Sequence, residues 1–120
     1  MADIKKFAEL DTKRRIMEYI YKILLPHDNT DFWNEGITSY LGGIMLYVQQ
    51  SEMSVKNGKT VLSVMRMLEK GDKQYQKEMK ECKEAWEVFS YYANRAPITK
   101  RNIVRYTEVY FTDELAHNLK

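Results

Sequence analysis

The chain has 120 residues, 44% hydrophobic and 30% charged, with a net charge of +2, five glycines, two prolines and one cysteine. Such usage describes one globular domain with one modest core and argues against a loop-rich or disordered chain, while the small net charge tells against tight non-specific nucleic-acid binding. The longest uninterrupted apolar run, Ile44 to Val48, is far below the roughly 20 residues that span a bilayer. Met1 to Leu10 lacks a signal-peptide centre and Cys82 has no internal disulfide partner, so the chain reads as cytosolic.

Charge is unevenly spread. From Ile23 to Val55 there is no Lys or Arg, and the carboxylates are Asp28, Asp31, Glu35 and Glu52, whereas Arg95, Lys100, Arg101 and Arg105 fall in a stretch without an acid. A dipolar molecule is expected, a property that bears on partners and not on fold.

A first helix is predicted over about Asp11–Leu25, with Ile16, Ile20, Ile23 and Leu24 at helical spacing. It must stop before Pro26, because the residue preceding a proline is pushed out of the α region. The stretch LLPHDNTDFWNEG, Leu24 to Gly36, then reads as a turn into the next helix. Thr30 or Asp31 caps that helix, and Asp31 and Glu35 place negative charge at its positive end. The second helix, about Asp31–Gln50, turns Trp33, Ile37, Leu41, Ile44 and Val48 inward and is expected to be central. Gly42 and Gly43 in its middle cost about 1 kcal/mol each relative to alanine, which marks a close helix crossing.

After a looser stretch, Ser51 to Lys59, a third helix is predicted over about Thr60–Lys70, with Val61, Leu62, Met65 and Leu68 inward. Gly71 ends it and Asp72 caps the next. A fourth helix is predicted as one rod over about Asp72–Asn94. Tyr75, Met79, Cys82, Trp86 and Phe89 face in, and Lys73, Lys77, Lys80 and Lys83 interleave with Glu78, Glu81, Glu84 and Glu87 on a salt-bridged outer face. Pro97 separates it from a fifth helix starting near Thr99, with Ile103, Tyr106, Thr107 and Tyr110 on one side and Arg101, Arg105 and Glu108 on the other. No strand pattern competes, so the expected fold class is all-α, a compact bundle of about five helices.

Candidate chemistry is thin. Asn57-Gly58-Lys59-Thr60 ends like a phosphate-binding loop, but Met53 stands where that loop needs a glycine, and no strand precedes it; it reads as a turn before a helix. His27, Asp28 and Asp31 carry ligating atoms, yet the only other histidine is His117 and no cysteine lies nearby, so no metal is expected. Asp31 and Glu35 could pair as acid and base, but a first helical turn attracts carboxylates on dipole grounds alone. Cys82, between Met79 and Trp86 on an apolar stripe, reads as a core residue. With no Ser-His-Asp or Cys-His set, no catalytic residue and no cofactor are assigned. Arg101 and Arg105, with Arg95 and Lys100 close by and Lys56 and Lys59 joining if their loop folds over, are candidate DNA-binding residues. The plainer reading is a solvated face with Arg105 paired to Glu108. Tyr91, Tyr92 and Tyr106 either stack on bases or close a core.

The block LLPHDNTDFWNEGITSYLGGIMLYV, Leu24 to Val48, resembles the start of the all-α domain of type IV secretion coupling proteins, the conjugative ATPases that feed DNA and protein into a secretion channel. The matching features are Leu24, Leu25 and Pro26, the Phe32-Trp33 pair, Gly36 where alanine is usual, and Leu41 through Tyr47, with Tyr40 where leucine is usual. Thr60 to Leu68, Thr99 to Ile103 and the Phe111 to Ala116 segment are similar to later parts of that domain. The resemblance implies a non-enzymatic substrate-recognition domain over residues 11–120, with residues 1–10 a motor-domain remnant or cloning-derived. The P-loop and membrane anchor would lie elsewhere in a parent held in the bacterial inner or cell membrane, with this domain on the cytoplasmic side and without direct membrane contact.

Implied partners are a relaxase or DNA-processing accessory protein, single- or double-stranded DNA, and the parent ATPase domain in its hexameric ring. Arg101 and its basic neighbours favour DNA; Asp28, Asp31 and Glu35 favour a basic protein cargo. An inserted domain has its ends close together, so the first and fifth helices are expected side by side. The alternative is a standalone helical scaffold or interaction protein.

Overall fold

Thr12 has an extended backbone, and its hydroxyl accepts from the Arg15 amide at 3.2 Å, an N-cap that starts α1 at Lys13 and lets it run to Leu24. The computed structural model describes residues 7–51, 60–71 and 73–118. The further helices are α2 (Asp31–Gln50), α3 (Val61–Glu69), α4 (Lys73–Glu81), α5 (Lys83–Ala93) and α6 (Pro97–Asp113). A 3₁₀ turn, Phe7–Glu9, precedes α1, and a π-helical turn, Glu114–Asn118, continues α6. The fold is all-α, without a strand among the described residues, and measures 35 × 33 × 23 Å.

The centre is α2. Gly36, Ile37 and every residue from Ser39 to Val48 are buried, so the helix is enclosed on all sides and not along one stripe only. α1, α3, α5 and α6 pack around it. Its tightest crossing is with α5. A Cβ on Gly43 would lie 2.6 Å from Phe89 Cβ and 2.9 Å from Phe89 Cα, and one on Gly36 would lie 2.6 Å from Ile103 Cδ1 of α6. The expected close crossing is therefore present, and a second one lies about two helical turns earlier. Beside it, the Ser39 hydroxyl donates to the Val88 carbonyl at 2.6 Å and accepts from the Tyr92 amide at 2.9 Å, entering the backbone ladder of α5. Thr30 stands at the N-cap of α2, but its side chain makes no capping bond.

α3 starts from a capping box in which Thr60 accepts from the Ser63 amide and Ser63 accepts from the Thr60 amide. It ends at Gly71, whose φ of +79° only glycine adopts without strain. The expected Asp72 cap and the loop containing Lys56 and Lys59 lie outside the described residues. The fourth predicted helix is two. Cys82 takes an extended conformation (φ −89°, ψ 90°), and its amide bonds to Met79 O in a tighter turn. The break divides the outer charged face: Lys80 and Glu84 fall on opposite sides of it. Lys77–Glu81 and Lys83–Glu87 run in the weaker Lys-to-Glu order, and none of these pairs forms an ion pair. Instead Lys80 lies 5.3 Å over the Trp86 ring and Glu84 accepts from Gln50.

α6 begins two residues earlier than expected because Pro97 fits the first helical position, where its missing amide has no bond to lose. The buried Thr107 hydroxyl is satisfied by the Ile103 carbonyl. The packed unit reaches back to Phe7: Leu10 is 1% exposed, and the Gln49 amide donates to the Phe7 and Leu10 carbonyls. α1 touches α6, and the Tyr19 hydroxyl donates at 3.0 Å to Glu114 in the turn that follows α6. No helix among the described residues is long and apolar enough to cross a membrane.

Candidate recognition surfaces

Asp31 and Glu35 sit one turn apart at the start of α2 and both border an open groove of about 500 Å³ between α1, α2 and α5. Its floor is apolar, made by Met17, Tyr21 and Leu24 of α1 with Val88 and Tyr91 of α5, and Lys13 stands at its edge. Tyr21 is 62% exposed, an unusual amount of aromatic surface to leave uncovered beside two carboxylates. The Asn34 side-chain oxygen in the same wall is buried without a donor. Asp28 lies on the turn before α2 and does not line the groove, so the acidic trio divides into a rim pair and a separate turn residue.

The described basic candidates, Arg95, Lys100, Arg101 and Arg105, do not share one face. Arg101 and Arg105 are exposed one turn apart on the outer face of α6, opposite the buried Ile103 and Thr107, with exposed Ile98 and Val109 on the same side. Arg105 makes no ion pair with Glu108. Lys100 borders a different cleft, because successive helical residues face about 100° apart. Arg95 turns back on its own helix end, donating from Nε to the Tyr91 carbonyl at 3.0 Å with its guanidinium 4.4 Å over the Tyr91 ring.

The turn Leu24 to Gly36 is tied to α6 by aromatic rings. His27 stacks on Tyr110 at 4.1 Å, Tyr110 donates to Asn29 at 3.1 Å, and Trp33 tilts against Tyr106 at 5.2 Å and against Phe32 edge-on at 4.9 Å. His27 thus packs as a ring, and among the described residues no group of three or more His, Cys, Asp or Glu could hold a metal. Tyr92 closes the core against Tyr40, with centroids 4.6 Å apart, and burial pushes its hydroxyl up to about 12. Tyr106 is 37% exposed at the surface edge. The Cys82 thiol is raised first by burial and then by Glu81 and Glu78, the opposite of an activated nucleophile. Thr60 is engaged in the α3 capping box.

Sequence reasoning found the rim of the groove and missed its floor. Met17 and Tyr21 lie beside the buried stripe of α1, where an apolar side chain off the periodic face is the available signal. No family model, curated protein or solved structure matches this chain.

Proposed function

We propose that this chain is a non-enzymatic recognition domain of the coupling-protein kind, selecting a relaxase–DNA complex or a processing protein for transfer by a parent ATPase ring. The observation that carries it is the groove itself: two carboxylates, Asp31 and Glu35, border an apolar floor exposed between three helices. Such a surface suits a cargo segment that combines apolar and basic side chains, with the floor supplying contact area and the rim selecting charge. The contact of α1 with α6 and the turn after it supports an inserted domain, as the resemblance of Leu24 to Val48 implies. Protein contact is favoured over DNA contact because, among the described candidates, Arg95 and Lys100 face away from the outward pair Arg101 and Arg105.

The test is binding to a conjugative relaxase complex, and separately to single- and double-stranded DNA across a salt series. Asp31→Lys/Glu35→Lys should abolish relaxase binding and spare any DNA binding. Loss of neither partner in that variant, or in Arg101→Glu/Arg105→Glu, would leave the helical scaffold as the better reading.

A further inference from the structure

A second cleft, of about 400 Å³, opens between α3, α4, α5 and α6 and shares no lining residue with the acidic groove. One wall is aromatic: Tyr40, Trp86, Phe89 and Tyr92 tilt against one another with centroids 4.6 to 6.1 Å apart. Lys80 comes from α4 and Lys100 from α6. Glu69 of α3 is the one acid in the lining, so the charged groups facing the space sum to one positive charge.

The Tyr40 hydroxyl supplies the decisive detail. The Tyr40 ring is buried in the wall of this cleft, and its hydroxyl makes no hydrogen bond among the described residues. That oxygen is not sealed from solvent, so it stands available to donate to whatever fills the cleft. Burial, followed by the charges of Tyr92, Glu108 and Glu69, raises its ionisation far above the ordinary phenol range, which leaves the hydroxyl able to donate. The Tyr92 hydroxyl in the same wall also lacks a protein partner.

We infer that this cleft binds a small planar aromatic compound carrying one anionic group. The ring lies against Trp86 and Phe89 and accepts from the Tyr40 hydroxyl, while a phosphate or carboxylate at the mouth meets Lys80 and Lys100. The volume falls within the range of small-molecule sites, and polar groups and aromatic rings share the lining. This site is independent of cargo recognition and stands or falls without it.

The test is amide and indole NMR shift mapping on the whole chain. The probes are adenosine monophosphate and 4-hydroxybenzoate, each paired with an uncharged counterpart, adenosine and 4-hydroxybenzamide. The expected result is saturable shifts at Trp86 and Tyr92 with at least one anion, and affinity about tenfold weaker for its uncharged partner. Lys100→Met should weaken that binding by about tenfold and Tyr40→Phe by about fivefold, while Arg101→Met leaves it unchanged. Which anion binds identifies the source as nucleotide or aromatic acid. The inference is overturned if neither anion gives saturable shifts, if the uncharged counterparts bind as tightly, or if Lys80→Met and Lys100→Met both bind like the unchanged chain. The two lysine variants keep the test decisive even if Tyr40→Phe unfolds.

Discussion

Gly43 of α2 lies so close to Phe89 of α5 that a Cβ on the glycine would meet backbone, at 2.9 Å from Phe89 Cα, as well as the Phe89 Cβ at 2.6 Å. Backbone cannot step aside as a side chain can. Gly43→Ala should therefore destabilise the chain by about 1–2 kcal/mol, the overpacking cost outweighing a helix-propensity gain of about 1 kcal/mol. Gly42 provides the control: its added methyl would meet the mobile Met17 Cε at 2.8 Å, which can rotate away. Gly42→Ala should be close to neutral in urea unfolding, and equal losses at both positions would refute the backbone argument.

Ser39 predicts a polar effect at the same crossing. Its hydroxyl serves the Val88 carbonyl and the Tyr92 amide together, so Ser39→Ala removes two bonds from the interior face of α5. The expected loss is about 1–2 kcal/mol, accompanied by faster hydrogen exchange at the Tyr92 amide than at its α5 neighbours. Unchanged exchange there would mean that α5 closes its own ladder without the serine.

How far these features were legible follows from their causes. α2 was readable to its ends, because Asp31 opens it with favourable charge and its apolar residues recur without interruption to Val48. Gly43 was readable as a crossing, since a glycine in a helix interior is costly and needs a neighbour to explain it. The break at Cys82 was not: it contains no glycine or proline, and the apolar spacing from Met79 to Trp86 continues through it, so only tertiary packing sets the corner. The rim pair Asp31 and Glu35 was visible as a four-residue spacing. Lys100 borders the second cleft while Arg101 faces outward, because the same periodicity places adjacent helical residues on different faces.

Alkaline stability should fall because three phenols are held protonated by burial. Tyr92 is raised to about 12, and Tyr19 and Tyr40 are raised further, against about 10 for a phenol in the unfolded chain. Below about pH 10 these groups are protonated in both states and their stabilising contribution is fully present. Above it the unfolded chain loses protons that the folded chain keeps, so stability is lost progressively as pH rises through about 12. Urea midpoints measured from neutral pH upward should decline above about pH 10, and Tyr92→Phe should make that decline shallower. A midpoint that stays level there would contradict the burial of these hydroxyls.

The acidic groove makes a kinetic prediction that separates its rim from its floor. Asp31 and Glu35 are exposed at the edge, so their charges act on approach through solvent, whereas Met17 and Tyr21 contribute contact area after docking. With a relaxase complex as ligand, Asp31→Asn/Glu35→Gln should chiefly lower the association rate and flatten its dependence on salt. Tyr21→Ala should chiefly raise the dissociation rate, by about tenfold or more, with the salt dependence unchanged. Stopped-flow or surface-binding kinetics at two ionic strengths would distinguish these outcomes. Identical changes in both variants would show that charge and apolar floor do not act as separate parts of one docking surface, and no effect from either would place the cargo on another face.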